Sequence, residues 1–322
     1  MYLSHYKLKT EPFQLTPDPR FLQLAEAYRN ALSILFQGVL MRKGFLVLTG
    51  PVGTGKTTLL HAMMHMLSNP AVSKAPLSTA FIVNPTLSRE EFLEFILDEF
   101  EVSCTSTSKP RRLAALQEML VETQRRGSTA VLVIDEAHLM SAELLEEIRL
   151  LGNTDSYREK PLQVILSAQP ELQTVLQSPS LQALKQRVAG WCMLRALTLP
   201  ETRAYIEERL HVAGLQDASP FGDAAIEKIF ARSQGVPRVI NLICDQCLII
   251  GAMAGRRQIE PYTVDEALAA MGWEVEAPSR IVPAPPVPAG SLSTFAEGKA
   301  EFQSCVDLLI QSMKQRRVAA RE

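Results

Sequence analysis

Three groups of residues have the types and spacing for chemistry. The first is Gly50-Pro51-Val52-Gly53-Thr54-Gly55-Lys56-Thr57, continued by Thr58. Glycines at this spacing let the backbone curl until successive N–H groups converge on one concavity, a nest for phosphate oxygens. A helix opening at the loop adds its unpaired N–H groups and positive dipole end. The chemistry is that of a nucleoside triphosphate. Residues 50–58 would cradle it, Lys56 would reach the β- and γ-phosphates, and the Thr57 hydroxyl would take a Mg²⁺ position. The second group is Asp135-Glu136, at the end of the apolar run Ala130-Val131-Leu132-Val133-Ile134. An acidic residue there holds Mg²⁺, and its neighbour polarises the attacking water. Asp135 is assigned to the metal and Glu136 to the water. The third group is Ser167 and Gln169, at the tip of the next apolar run. Either can touch the γ-phosphate or the water, and Gln169 has the longer reach.

Two further residues have competing readings. Asn84 ends the run Thr79-Ala80-Phe81-Ile82-Val83 before Pro85. It either holds Glu136 away from the water until a ligand arrives or makes a simple Asx turn. Arg238 follows Gly235-Val236-Pro237, at a helix start where a cation is unfavourable unless an anion is present. It either faces the triphosphate or is a solvated arginine. His138, in Asp135-Glu136-Ala137-His138, is read as incidental. Cys244 and Cys247 form a C-x-x-C inside a helical apolar pattern with no second pair, so packing is expected of them rather than zinc or redox chemistry.

The elements that must position these groups follow from periodicity. Phe45-Leu46-Val47-Leu48-Thr49 is a strand feeding the glycine loop, with a helix after it. Further strands are expected at 79–84, 130–134, 162–167 and around 192–199. The continuous apolar run at 130–134 marks a strand buried on both faces. Helices are expected at 25–41, 90–101 (with Ser88 and Glu91 as a capping box), 113–125 ending at Gly127, and 142–151. Strands alternating with helices imply a parallel five-stranded sheet covered on both sides. From Pro200 the pattern becomes helical, at about 201–213, 223–233, 237–253 and 263–271, which makes a small lid. The clustered prolines at 12–19 forbid a helix there, so the N-terminal segment must drape over something. The expected organisation is an N-terminal segment 1–30, a P-loop αβ domain 31–199, a helical lid 200–275, a proline-rich linker 276–291 and an amphipathic helix 292–322.

Composition narrows the class. The chain has 322 residues, enough for two domains, and 47% hydrophobic with 21% charged residues is a globular balance. A net charge of −2 gives no global attraction to nucleic acid. Neither a secretory signal nor a ~20-residue apolar span is found, and five cysteines suit reduced thiols. A cytoplasmic protein, recruited to the inner face of the membrane, is expected.

Lys56 with Asp135-Glu136, a polar fourth-strand tip and a helical lid carrying Gly235-Val236-Pro237-Arg238 resemble an AAA+ ATPase. More narrowly, the chain is similar to the general secretion pathway protein A-type (ExeA-like) ATPases and their relatives in transposition. The stretches that carry the resemblance are Pro12-Phe13, Thr16-Pro17-Asp18-Pro19-Arg20-Phe21, the loop, Val133 to His138, Gln169-Pro170-Glu171-Leu172 and Gly235 to Asn241. Ala168 stands where the pattern has glycine. The resemblance implies ATP and Mg²⁺ gripped between an αβ domain and a lid, with Pro12 and Phe13 near the adenine. It implies Gln169 as the first sensor, Arg238 as the second, and a ring or filament of like subunits. Arg187, before the fifth strand, takes the place of an arginine finger reaching a neighbour's γ-phosphate.

Two functions remain open at this point. One is an ATPase that assembles or remodels an export complex, with the helix at 292–322 docking onto a protein partner in that complex. The other is a DNA-bound ATPase regulating transposition-type reactions. The second needs a basic surface, for which the candidates are Arg111-Arg112, Arg125-Arg126, Arg256-Arg257 and the cluster from Lys314 to Arg321.

Overall fold

The structure, a computed structural model, describes residues 2–15, 25–69, 76–152 and 160–273. The expected linker, the amphipathic stripe beyond it and the proline cluster at 16–21 lie outside the described residues. The chain divides into two compact units. One gathers the N-terminal segment to Tyr28, Pro51–Leu59 and the helices from Arg195 onward; the other holds Arg29–Gly50 and Leu60–Leu194.

The elements in chain order are α1 (Tyr2–His5), α2 (Glu26–Leu40), β1 (Phe45–Thr49), α3 (Lys56–Leu67), β2 (Leu77–Ile82), α4 (Arg89–Glu99), α5 (Lys109–Arg125) and β3 (Thr129–Ile134). They continue with α6 (Ala142–Leu151), β4 (Leu162–Ala168), α7 (Glu171–Val175), α8 (Gln182–Lys185) and β5 (Val188–Met193). Then come α9 (Leu199–Val212), α10 (Asp223–Ser233), α11 (Pro237–Met253) and α12 (Pro261–Ala270).

The sheet unit is built on five parallel strands in the order β2-β3-β4-β1-β5. Every residue of β1, β3 and β4 is buried, as crossover helices on both faces require. Phe92, Leu93, Ile96 and Leu97 of α4 and Leu116 and Leu120 of α5 fill the core with Leu144, Leu145 and Ile148 of α6. Ser88 and Glu91 form the expected capping box at the start of α4.

Three boundaries differ from the periodicity. α5 starts at Lys109 because Pro110 sits in its first turn, where a missing N–H costs nothing. β2 ends at Ile82, two residues before Asn84. β5 is Val188–Met193, not 192–199. Its alternation of partly and fully buried residues is weak at an edge strand, and the apolar residues up to Leu199 lead into α9 instead.

The helical unit comprises α9–α12 and the N-terminal segment packed on them. Thr198 and Glu201 form a second capping box, at the start of α9. The segment drapes over the helices through specific anchors. The Tyr2 hydroxyl donates to Asp245, and the Tyr6 hydroxyl donates to the Arg256 carbonyl. Phe13 is 2% exposed, edge-on to Phe221. Cys244 and Cys247 are buried in α11, and burial pushes both thiols up, Cys247 to about 12. They are packing residues.

Candidate active site

The candidate residues form one set in each unit. In the helical unit, Gly53 and Gly55 take φ values of +77° and +84°, the left-handed region that glycine enters without strain. The Pro51 carbonyl gathers the loop, accepting from Thr54 Oγ1 at 2.8 Å and from Lys56 Nζ at 3.1 Å. Thr54 and Lys56 are buried, while Thr57 and Thr58 are half-buried in the first turn of α3. The Tyr28 hydroxyl donates to the Thr54 carbonyl, and burial raises its pKa so that it keeps the proton it donates.

The loop is met by Val236-Pro237-Arg238. The Arg238 N–H donates to the Gly53 carbonyl at 3.1 Å. A Cβ on Gly53 would lie 2.9 Å from Arg238 Cβ and 3.0 Å from Val236 Cγ1, so glycine is needed there for space as well as conformation. Gly235 is bound more tightly still, since a Cβ would fall 1.9 Å from the Leu197 carbonyl oxygen. Arg238 therefore starts its helix against the phosphate loop, with its side chain exposed.

In the sheet unit, Gly50 leaves β1 with its N–H on the Ala168 carbonyl at 3.2 Å. One residue earlier, Ser167 Oγ donates to Asp135 Oδ1 at 2.7 Å. The Glu136 N–H donates to the same oxygen at 3.0 Å. Asp135 is 2% exposed, and two donors fix its carboxylate. Ser167 thus gives its proton to Asp135, while Gln169 at the same strand tip does not contact Asp135 through any hydrogen bond among the described residues. Glu136 sits in the left-handed region with φ 52°, projecting a carboxylate 40% exposed.

Two assignments change. Asn84 makes the Asx turn: its Oδ1 accepts from Thr86 Oγ1 at 2.6 Å and the Thr86 N–H at 3.3 Å. No hydrogen bond joins it to Glu136 among the described residues, so the catalytic role for Asn84 is not what its geometry serves. His138 is not incidental. Its Nε2 lies 2.8 Å from Gln169 Nε2, and its Nδ1 lies 3.4 Å from Glu136 Oε2. Phe13, expected near an adenine, is enclosed by packing at 2% exposure. Pro12 is buried beside it, its carbonyl accepting from Arg209 Nε at 2.6 Å.

Tyr28 escaped the sequence reading and His138 was read as incidental, since their contacts reach residues 26 and 31 positions away. Arg187, half-buried just before β5, donates to the Arg149 carbonyl at 3.2 Å, while Arg149 itself is paired bidentately with Glu146.

An AAA domain family model matches residues 39–176, the span from the end of α2 to α7. General secretion pathway protein A of Aeromonas hydrophila is 35% identical over 260 residues, 80% of this chain and 46% of that protein. The chain belongs to the AAA+ family. It spans less than half the length of that curated relative. Solved structures share the fold of this AAA+ chain. The Aeropyrum pernix ORC2 protein, in ADPNP–ADP complexes, aligns with TM-score 0.63 at 17% identity, covering 81% of this chain and 71% of that one. Cdc6p of Pyrobaculum aerophilum aligns with TM-score 0.62 at 18% identity, covering 80% and 70%.

The residues fit a nucleotide with Mg²⁺. The loop is a glycine-rich cradle with a buried lysine; a threonine hydroxyl in that unit and a fixed carboxylate in the other are each hard-oxygen donors. Among the described residues no cluster of three acidic, histidine or cysteine side chains forms a metal cage.

Proposed function

We propose that the chain binds ATP with Mg²⁺ and hydrolyses it, and uses the cycle to assemble or remodel an export complex. The observations that carry this reading are a positive-φ glycine cradle around Lys56 in one unit and, in the other, a buried, doubly hydrogen-bonded Asp135 followed by an outward Glu136. Residues 50–58 hold the phosphates by backbone N–H groups, and Lys56 supplies positive charge. Thr57 and Asp135 are the residues that would hold the metal, which would supply neutralising charge to the phosphate oxygens. Glu136 orients and polarises the attacking water, and Gln169 contacts it or the γ-phosphate. Arg238, seated on Gly53, adds a cation.

Arg187 serves a neighbouring copy. It stands before β5, at the sheet edge opposite Asp135. Six residues of strand at ~3.3 Å each separate the edges by about 20 Å, too far for its side chain to reach its own site. A ring or filament of like copies is the arrangement that would let Arg187 act in this way.

The export role rests on similarity to general secretion pathway protein A alone. The DNA-bound alternative has less support. Arg112 is buried on Ser106, Glu90 and Glu94, Arg126 pairs with Glu122, and Arg256 pairs with Glu266 over the Tyr262 ring. Among the described residues each doublet thereby keeps at most one cation for phosphate, Arg111, Arg125 or Arg257. No helix among the described residues is long and apolar enough to cross a membrane.

The deciding experiment is fluorescent-ATP titration beside phosphate release. Charged hydrogen bonds contribute about 1.5–3 kcal/mol, so Lys56→Ala is expected to weaken binding at least about tenfold. Wild-type protein that binds no ATP, or binds it as well without Lys56, overturns the reading.

A further inference from the structure

We propose that His138 is a positioning residue that couples Gln169 to Glu136, taking the role that Asn84 does not fill. The inference rests on the hydrolytic reading above and concerns how the water-activating carboxylate is aimed. His138 lies in a short 3₁₀ turn, Ala137–Leu139, that begins at Glu136 itself. Its side chain is 13% exposed, so its ring is fixed by packing and by polar partners.

The two ring nitrogens cannot act independently. A carboxamide nitrogen only donates, so with Gln169 Nε2 at 2.8 Å, His138 Nε2 must accept. In a neutral ring the proton then sits on Nδ1. Nδ1 faces Glu136 Oε2 at 3.4 Å, and a donor there attracts the carboxylate. The Gln169 backbone N–H also points at Nδ1, at 3.5 Å. A nitrogen that carries a proton cannot accept from it, so the two contacts at Nδ1 exclude one another.

This makes the ring a link with two settings. While the Gln169 carboxamide gives its N–H to Nε2, Nδ1–H holds Glu136. When Gln169 turns its amide away and presents its oxygen, Nε2 carries the proton instead. Nδ1 loses its proton to water, Nε2 gains one from water, and the ring stays neutral. Nδ1 then accepts from the Gln169 N–H and releases Glu136. A residue at the tip of β4 thereby changes the aim of a carboxylate 33 positions earlier without touching it.

The test uses the full chain and separates ATP affinity from turnover. Asn places its amide where Nδ1 lies, whereas Gln places its amide where Nε2 lies. His138→Ala and His138→Gln are expected to lower kcat about tenfold with ATP Kd within twofold of wild type. His138→Asn, which keeps the donor to Glu136, is expected to stay within about threefold. In a Gln169→Ala background, His138→Ala is expected to add less than twofold, because the link is already cut. Melting temperatures within a few degrees of wild type exclude a folding effect. Equal kcat in wild type and all three variants overturns the coupling while leaving the ATPase reading intact. Equal losses in the Asn and Gln variants, or fully multiplicative losses with Gln169→Ala, also overturn it. No turnover in wild type overturns both.

Discussion

The sheet carries opposite charge at its two edges. At the C-terminal edge, β3 and β4 end in Asp135, Glu136 and Gln169, with Ser167 and His138 holding them. At the N-terminal edge, the residues before β1, β4 and β5 are basic. Lys160 Nζ donates to the Lys43 carbonyl at 2.7 Å. Burial, then the charges of Arg187 and Lys43, hold its ammonium below the usual lysine range. Arg187 donates to the end of α6, beside Arg149. Parallel strands keep these edges about 20 Å apart, so acids and bases of one copy cannot meet. On the proposed reading, the acidic edge serves the ligand of its own chain. On the same reading, the basic edge serves the chemistry when a second copy brings it to an acidic edge.

The largest effect that would break this comparison lies at the basic edge. An arginine finger is worth about 10³–10⁵ in rate, so Arg187→Ala is expected to cut turnover at least about 10³-fold with ATP binding intact. Mixing it with Glu136→Gln is expected to restore activity at interfaces that pair an intact Glu136 with an intact Arg187. Full turnover by Arg187→Ala alone would show that the basic edge has no part in catalysis.

At the acidic edge, Glu136→Gln keeps the shape and removes the base. General-base loss costs about 10²–10⁴, read as phosphate release with titrated ATP affinity unchanged. Ser167→Ala is a finer probe. It leaves Asp135 one donor short, and a charged hydrogen bond contributes about 1.5–3 kcal/mol. The Mg²⁺ concentration for half-maximal turnover is expected to rise about tenfold. An unchanged Mg²⁺ requirement would separate Asp135 from the metal.

The two edges were unequally legible. The glycine loop, β3 and its acidic pair could be read because each is a local pattern: positive-φ glycines, a doubly buried apolar run, a carboxylate at its end. The lid helices were readable from period and capping, and Gly235-Val236-Pro237 marked where one ends and the next begins. What escaped depends on partners distant in sequence. Nothing near Ser167 announces that its hydroxyl belongs to Asp135, nor near His138 that its ring spans Gln169 and Glu136. Asn84 shows the converse, since a residue that suited a catalytic partner settled for Thr86, two positions away. β5 was displaced because an edge strand with half-buried faces carries little periodic signal. Phe13, placed near an adenine by resemblance, packs edge-on to Phe221, a partner far away in sequence.

The smallest expected effect is a control that touches neither edge. Glu201 caps α9 and accepts two hydrogen bonds from Arg195. The Arg195 guanidinium, then the Thr198 backbone and hydroxyl, bring its carboxyl down to about 2 from a usual 4.5. A depressed carboxylate contributes stability that is complete above its unfolded pKa and is lost as pH falls through the folded one. The window here runs from about 4.5 down to about 2. Linkage over that interval caps the contribution near ~3 kcal/mol, and solvent screening of a partly exposed pair brings it to about 1–2 kcal/mol. Glu201→Gln is therefore expected to lower the melting temperature at pH 7 by roughly 2–6 °C. The gap to wild type should narrow as pH is taken from 5 to 3. Turnover per folded molecule should be unchanged, because the substitution alters no residue of either sheet edge. A gap that stays constant with pH would show that the ion pair contributes nothing and the cap alone holds α9.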